Sequence, residues 1–470
     1  MEALKKKYGL FTAICMVVGI VIGSGVFFKS QNALEKAGGD ALTSIIAWVI
    51  GGIIMVVIAS TFAVMATKYE RVGGLVDYAE VTCGKRYAYF VGWFLTMIYY
   101  PTMTSVLAWA SARYTLAVVG FAHAPTALLQ GGAKSAIDSP ECIAIATFYL
   151  ILSYFINTVA PRIAGKVQVS TTVIKLIPLI FVALIGVAVG VFSGNLGANL
   201  SDSSFSLGSK GHLFSALCCT AFAYEGWIIA TAINAEIKDS KKNLPIALFF
   251  GTLVIVAIYV LFNVGVLGLA DSESIMQNGT TVAFGFFGKT AATVIDVLVI
   301  VSCFGTLNGL MLACTRGIYS LAARGEGVRP DLFIQVDKMS NMPHNSAALA
   351  LLTCVVWFVY FIGGQFFGWF GNYAFDSSEL PIITIYPLYV PILIRFMMRE
   401  RGLHPFKRFV LPSLSIVGSG VMVVASIYSH KMDNVWYLII FAALMAAGAV
   451  VLLLNERRER SRKETVEADE

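Results

Sequence analysis

A glycine–serine–glycine motif interrupts the first apolar segment of this sequence near its middle. The motif lies within residues 21–27, where two glycines flank Ser24. Glycines weaken a helix, and a lipid environment otherwise requires every backbone group to be hydrogen-bonded. An unwound segment here would expose N–H and C=O groups that bind a charged solute. The alternative is a glycine face for close helix packing, and the motif alone does not decide between these roles.

A second polar interruption, FAYEGW at residues 222–227, lies in the middle of the predicted sixth span and carries the carboxylate of Glu225. Two interrupted helices that are five spans apart are typical of inverted-repeat transporters, in which the breaks meet at the bilayer midplane. The N-termini of the half-helices then face a substrate carboxylate, and unwound carbonyl groups face its ammonium group. This geometry suits a zwitterion.

Lys175 is predicted to lie deep in the membrane. It follows Lys166, at the inner end of the predicted fifth span, by nine residues, or about 13 Å of helical rise in a hydrocarbon core of about 30 Å. A lysine at that depth costs about 2.5–3.5 kcal/mol on insertion scales, which indicates a functional charge. The alternative is a lysine on a polar helix face without a role in transport.

Two acidic residues, Asp376 and Glu379, are three apart and are predicted to share one face of the tenth span. Arg113, in the third span, is the cation predicted at a similar depth. Structural ion pairing is the preferred interpretation, and a substrate or proton role is the alternative.

The elements that position these residues follow from the composition. Of 470 residues, 57% are hydrophobic and only 13% are charged, against roughly 25% charged in a soluble domain. Apolar segments of about 20 residues, long enough to cross a bilayer, recur along the chain. They are apolar nearly all round and lack the alternation of a barrel strand, so helices are predicted. The positions of the eight cysteines and five histidines indicate no zinc, haem or disulfide site, and we expect no cofactor and no metal.

Twelve transmembrane helices are predicted, at about residues 9–37, 42–67, 86–120, 141–159, 166–192, 212–236, 245–269, 287–323, 345–363, 370–397, 407–429 and 434–455. Cytoplasmic loops are enriched in Lys and Arg, which orients these spans. With both termini inside, 26 of the 34 basic residues lie in inner segments, and six lysines are assigned outside: Lys29, Lys36, Lys134, Lys210, Lys289 and Lys431. The net charge of +6 is therefore a topology signal and does not imply nucleic acid. Residues 455–470 are dense in both signs of charge and are predicted to be a solvated, mobile end.

Four stretches together resemble a known family: GSG at residues 23–25, FAYEGW at 222–227, NAEIKDSKKNLP at 234–245, and FGTLNGLMLACTRGIYSLAARGEG at 304–327. The chain resembles the amino acid-polyamine-organocation superfamily, specifically its L-type amino acid transporter branch, and most closely the bacterial serine/threonine and alanine-serine-cysteine exchangers. The interrupted spans and this resemblance imply an all-α membrane protein with a LeuT-type 5+5 inverted repeat, discontinuous helices 1 and 6, and two extra helices. The implied domains are a transport core at 1–405, with repeats at about 9–192 and 212–397, then helices 11 and 12 at 406–455 and a charged cytoplasmic tail at 456–470.

The resemblance also implies which residues bind the substrate. The amides of Ser24 and Gly25, with the Ser24 hydroxyl, would hold the carboxylate. The carbonyl groups of Val21, Phe222 and Glu225 would hold the ammonium group, and the Phe222 ring would close the outer side. The implied set is Val21, Ile22, Gly23, Ser24, Gly25, Phe222, Ala223, Tyr224, Glu225 and Gly226. The family often has glycine where this chain has Glu225, so the role of that carboxylate is left open.

Lys175 matches the lysine that lies against the first broken helix where sodium-coupled relatives bind sodium. A fixed ammonium group there would replace the ion, or the lysine would release and regain a proton during transport. Eukaryotic members are tied to a glycoprotein subunit by a cysteine between spans three and four, but residues 121–140 contain none. We therefore expect no disulfide-linked ancillary subunit, and a bacterial plasma membrane as the location.

The predicted function is sodium-independent exchange of small neutral L-amino acids, such as serine, threonine and alanine, by alternating access. The partners are then an amino acid substrate and the lipid bilayer. Proton-coupled import of amino acids or polyamines is the alternative, although a polyamine needs several carboxylates and only Glu225 is plainly placed. An enzyme or a channel is disfavoured, because no nucleophile or metal-ligand motif is visible and a channel does not explain two equivalent helix breaks.

Overall fold

The computed structural model describes residues 9–23, 25–69, 74–119, 140–201, 210–230, 237–337, 342–365, 367–370 and 376–469, and every structural statement concerns these residues. Its helices are α1 (Leu10–Val21), α2 (Gly25–Lys36), α3 (Ala41–Lys68), α4 (Leu75–Cys83), α5 (Lys85–Phe94), α6 (Tyr100–Val118), α7 (Pro140–Val159), α8 (Pro161–Ser193), α9 (Asn195–Ser201), α10 (Lys210–Tyr224), α11 (Trp227–Ala230), α12 (Ser240–Leu269), α13 (Ser272–Asn278), α14 (Thr281–Phe284), α15 (Lys289–Ala323), α16 (Pro330–Phe333), α17 (His344–Gln365), α18 (Ile382–Arg399), α19 (Leu411–His430) and α20 (Asp433–Asp469). Two π-helical segments, Leu95–Tyr99 and Phe406–Val410, and a 3-10 turn, Gly285–Phe287, complete the elements.

Nine helices in the described part of the chain are long and apolar enough to cross a membrane: α3, α7, α8, α12, α15, α17, α18, α19 and α20. The other three predicted spans are interrupted. The first consists of α1 and α2, the third of α5 and α6 with the π-helical segment between them, and the sixth of α10 and α11. The predicted all-α, multi-pass membrane fold with discontinuous helices 1 and 6 is confirmed.

Helices that are five spans apart pack against each other. α2 contacts α10, α3 contacts α12, α6 contacts α15, and α7 contacts α17. This pairing is expected when two five-helix repeats are related by an axis in the membrane plane. The limits of the two repeats, at about residues 9–192 and 212–397, remain a prediction. Below, "inner" and "outer" follow the orientation that the Lys and Arg distribution predicts.

Glycines bring α8 and α12 into backbone contact beside the first broken helix. A Cβ atom on Gly186 would lie 2.3 Å from the carbonyl oxygen of Gly265, and one on Gly268 would lie 2.2 Å from the carbonyl oxygen of Gly186. Small residues permit this approach in lipid, where packing and not the hydrophobic effect holds helices together. α12 also packs against α1 and α3, so it supports the first break from one side.

Two predicted segments differ from the structure. Residues 377–381 form turns ahead of α18, so Asp376 and Glu379 lie on a non-helical segment and not on one helix face. Three prolines near this point, Pro381 at the cap and two more within α18, favour such irregular backbone. The helix of the predicted twelfth span does not end near residue 455 but continues as α20 as far as Asp469, and the exposed side chain of Arg86 donates to Glu456 at the start of this extension.

Candidate substrate site between two broken helices

The first break follows Val21, where α1 ends. Ile22 adopts an extended conformation with a ψ of 106°, and its N–H donates to the carbonyl oxygen of Val18 as the last helical hydrogen bond. α2 begins at Gly25. The first four N–H groups of a helix lack intrahelical acceptors, so the start of α2 presents backbone donors at this point. Ser24, a predicted binding residue, lies outside the described residues.

The second break follows Tyr224, where α10 ends. Gly226 has a φ of +105°, a left-handed conformation that side-chain-bearing residues rarely adopt. The N–H of Glu225 donates to the carbonyl oxygen of Phe222 at 3.3 Å, which closes the last turn before α11 begins at Trp227. The glycine is therefore required by the backbone at this break.

The two breaks meet in the fold. A Cβ atom on Gly25 would lie 2.8 Å from the Cα atom of Ala223 and 3.2 Å from the Phe222 ring. A Cβ atom on Gly23 would lie 2.9 Å from the hydroxyl oxygen of Thr306 on α15. Glycine is thus required at both positions for close approach, and the start of α2 faces the end of α10. All the predicted substrate residues that the structure describes lie on these two segments.

The carbonyl group of Val21 already has a donor. The hydroxyl group of Tyr259, on α12, donates to it at 3.3 Å. The Tyr259 ring packs edge-on against Trp48, whose carbonyl oxygen accepts a hydrogen bond from the Tyr224 hydroxyl at 2.8 Å. The sequence gave no signal for Tyr259, because only packing brings α12 to this break.

Lys175 lies where the resemblance predicts. The side chain is 1% exposed, and its Nζ donates to the carbonyl oxygen of Gly19 in the last turns of α1. Carbonyl groups at a helix C-terminus carry a partial negative charge, which favours a cation at this position. The Lys175 side chain therefore contacts the last turns of α1 directly, beside the first break.

Glu225 lies among polar groups from three segments. The Tyr99 hydroxyl donates to its carboxylate at 2.6 Å, and the Tyr386 hydroxyl and the Gly226 backbone N–H lie near the same carboxylate. The carboxylate therefore joins the sixth span to the third by a hydrogen bond and lies beside the tenth, just inside the second break. Neither tyrosine was predicted, because the sequence offers no way to choose them among 19 tyrosines.

Aromatic rings cover the outer side of the two breaks. The Phe222 ring lies 5.4 Å from the Phe28 ring, centroid to centroid, and Phe28 packs edge-on against Trp109 of α6 at 6.5 Å. Phe222 is 8% exposed. The role of the Phe222 ring in closing the outer side stays a prediction. Phe28 and Trp109, which pack with it, were not predicted.

A buried ion-pair cluster lies further out. Lys29, on α2, is 1% exposed, and its Nζ lies 3.3 Å from a carboxylate oxygen of Asp376 and also donates to Glu379. Lys29, which was assigned to an outer segment, is therefore buried within α2. Arg113 was the wrong cation for these carboxylates, because it donates to the side chain of Gln31 at 2.8 Å.

His430, the last residue of α19, extends this cluster. Its Nε2 lies 2.8 Å from Glu379, and its Nδ1 lies 4.0 Å from a carboxylate oxygen of Asp433. His430 directly follows the predicted eleventh span at 407–429, and the structure buries it at 7% exposure. The cluster joins the outer half of the first span to spans ten, eleven and twelve.

Ion pairs also close the inner side. Arg324, at the end of α15, donates to Glu80 at 2.8 Å and to Asp77, and both acceptors lie on α4. α4 precedes the third span, so this contact joins the connection between spans two and three to span eight. The two breaks therefore lie between an outer and an inner set of charged contacts.

Comparisons with known proteins agree with this architecture. The model of a family described as amino acid permease matches residues 8–451. The serine/threonine exchanger SteT of Bacillus subtilis is 28% identical over 454 residues, which cover 92% of this chain and 93% of that protein. The Asc-type amino acid transporter 1 of Mus musculus is 29% identical over 360 residues, 75% of this chain and 64% of that protein. The large neutral amino acids transporter small subunit 2 of Homo sapiens is 28% identical over 359 residues, 75% of this chain and 63% of that protein. The family match spans both helix breaks and nearly the whole chain, and the chain therefore belongs to the amino acid permease family.

Proposed function

We propose that this chain is a sodium-independent exchanger of small neutral L-amino acids that works by alternating access in a cytoplasmic membrane. The observation that carries the proposal is the contact between the Lys175 ammonium group and the Gly19 carbonyl group beside the first break. A fixed positive charge at this place makes a coupling cation unnecessary. The similarity to a serine/threonine exchanger supports both exchange and the class of substrate.

The substrate is proposed to bind as a zwitterion between the two breaks. Its carboxylate binds the N–H groups at the start of α2, from Gly25 onward, where the helix dipole favours an anion. Its ammonium group binds the carbonyl groups of Phe222 and Glu225 at the end of α10. The carbonyl oxygen of Val21 already accepts a hydrogen bond from the Tyr259 hydroxyl. It can bind the ammonium group either through its second lone pair or after the Tyr259 hydroxyl has moved away.

Neutral side chains are favoured because Glu225 already has polar neighbours. Its carboxylate accepts a hydrogen bond from the Tyr99 hydroxyl and lies near the Tyr386 hydroxyl and the Gly226 N–H. A cationic substrate group would compete with these neighbours for the carboxylate, and loss of the Tyr99 hydrogen bond would cost about 1.5–3 kcal/mol, as for other hydrogen bonds to charged groups. We infer that Glu225 positions spans three, six and ten and does not bind a cationic substrate.

Alternating access is proposed to work by opening the two charged contacts in turn. The outer contact is that of Lys29 with Asp376 and Glu379, and the inner contact is that of Arg324 with Asp77 and Glu80. With both contacts formed, as they are here, the site is proposed to be shielded from both compartments.

The test is uptake of labelled serine into proteoliposomes that contain the purified protein. Uptake should require unlabelled amino acid inside, as expected of an exchanger, and should be unchanged when choline replaces sodium. Uptake into vesicles without internal amino acid, driven by an imposed pH gradient, would instead establish the proton-coupled alternative, with Lys175 as the group that carries the proton. Loss of uptake in sodium-free buffer would refute the role given to Lys175.

We further infer that both termini face the cytoplasm of a bacterial cell and that the chain works without a disulfide-linked subunit. The charge distribution supports this orientation, and the absence of cysteine from residues 121–140 supports a stand-alone chain. Most of that segment lies outside the described residues. Lys289→Cys and Arg457→Cys, each made in a chain from which the eight native cysteines have been removed, check the orientation. A membrane-impermeant thiol reagent added outside should label the first variant and not the second.

A further inference from the structure

Three potential metal ligands meet near the outer end of the sixth span. The Sγ of Cys218, a carboxylate oxygen of Glu379 and a ring nitrogen of His430 all lie within 4.8 Å of one another. Cys218 comes from α10, Glu379 from the turn before α18, and His430 from the end of α19. All three are buried, at 0%, 1% and 7% exposure.

This set of donors matches the preferences of zinc. A thiolate, an imidazole and a carboxylate bind Zn²⁺ at about 2.0–2.3 Å, with a water molecule as the fourth ligand. Nε2 of His430 and a Glu379 oxygen lie 2.8 Å apart, within hydrogen-bond distance. A metal ion would bind between them after a small separation of the two groups, with the ring proton of neutral His430 on Nδ1, and the Cys218 sulfur lies close enough to complete the site.

Neighbouring groups lie beside two of the three ligands. Nδ1 of His430 lies 4.0 Å from a carboxylate oxygen of Asp433, an acceptor near the nitrogen that carries the ring proton when Nε2 binds a metal. The other oxygen of Glu379 accepts a hydrogen bond from Lys29, which holds the carboxylate in place. The site therefore has a supporting layer as well as ligands.

The local charges leave room for a cation. The charged groups around the three ligands are two lysines, Lys29 and Lys36, and three carboxylates, those of Asp376, Glu379 and Asp433. These five groups carry one net negative charge when His430 is neutral. A divalent ion adds two positive charges, and Cys218 loses one proton to solvent when it binds as the thiolate. The loaded cluster is then neutral, which removes the cost of an uncompensated charge in a buried place.

We propose that Cys218, Glu379 and His430 form a site for Zn²⁺ or a similar soft divalent cation, and that the bound ion inhibits transport. The ion links α10, which carries the second break, to the segments before α18 and at the end of α19. α10 is also in contact with α2 of the first break. A cross-link between these elements prevents the outer half of the broken helices from separating from spans ten and eleven.

Zinc binding tests the site independently of transport. The purified, chelator-treated protein is titrated with zinc chloride, and bound zinc per chain is measured by mass spectrometry after desalting. We expect about one zinc ion per wild-type chain. Cys218→Ser and His430→Gln should each weaken zinc affinity by more than about 100-fold, beyond the 10–100-fold that loss of a supporting partner costs. Cys219→Ser is the matched control, because Cys219 is a buried neighbour outside the cluster and should leave affinity unchanged.

Inhibition is measured in right-side-out membrane vesicles with external zinc. Serine uptake by the wild type and by Cys219→Ser should fall and should recover after a chelator is added, whereas uptake by Cys218→Ser should be insensitive. Absence of bound zinc in the wild type, or equal binding in the wild type and both ligand variants, overturns the site. Zinc binding without inhibition overturns the proposed cross-link. A failure of serine exchange in zinc-free buffer bears only on the proposed function.

Discussion

The buried ion pair of Lys29 offers the sharpest test of how the outer half is held closed. In Lys29→Met a side chain of similar length replaces the ammonium group, so packing is largely kept while the charge is lost. Among the described residues, His430 is then the remaining hydrogen-bond partner of Glu379, whose side chain is 2% exposed. Asp376, at 20% exposure of its side chain, has access to water and loses less.

The magnitude follows from burial. Removing one partner of a buried ion pair costs about 3–5 kcal/mol, because the remaining charge is left uncompensated. A partly exposed pair contributes about 0–1 kcal/mol. Lys29→Met should therefore destabilise the closed outer half by about 3–5 kcal/mol, or a factor of about 100 to several thousand in its equilibrium with the open form. Asp376→Asn should have a much smaller effect.

A double-mutant cycle in Lys29 and Glu379 separates the ion pair from packing. The midpoint of thermal unfolding in detergent and the rate of serine exchange are measured for Lys29→Met, Glu379→Gln and the double variant. Because Glu379→Gln removes the stranded charge, the double variant should be more stable than Lys29→Met alone. Additive losses in the double variant, or a loss for Asp376→Asn as large as that for Lys29→Met, would refute the reasoning.

Three further outcomes are expected. Gly25→Ala should abolish measurable serine binding, because the added Cβ atom would lie 2.8 Å from the Ala223 backbone. Gly420→Ala is the control, because its added Cβ atom has nothing within 4 Å, and it should leave binding unchanged. If Gly25→Ala binds serine as tightly as the wild type, the substrate carboxylate binds elsewhere. Lys175→Gln keeps a hydrogen-bond donor for the Gly19 carbonyl group but loses the charge. The rate of serine exchange should fall at least about tenfold, which corresponds to about 1.4 kcal/mol, and it is measured with and without sodium. Glu225→Gln should keep the preference for serine over lysine or putrescine in a competition assay, and strong inhibition of the wild type by putrescine would contradict the neutral-substrate proposal.

The fold class and the positions of the two helix breaks could be predicted because they depend on local properties of the chain. Apolar segments of membrane length indicate spanning helices wherever they occur. Glycine at residues 23, 25 and 226 weakens a helix regardless of its neighbours, and the structure breaks both helices at these residues. Helical rise alone predicted that Lys175 lies deep in its span, and the structure shows that its side chain is buried against α1.

The partners of the charged groups could not be predicted, because they are chosen by helix packing between distant parts of the chain. Glu225 binds Tyr99, which is 126 residues away, and Lys29 binds Glu379 across 350 residues. The sequence requires that a charge in lipid be compensated, but it leaves open which of several polar groups at the same depth supplies the compensation. The turn that precedes α18 brings Glu379 towards α2 and α19, and this is why Lys29 and His430, and not Arg113, became its partners.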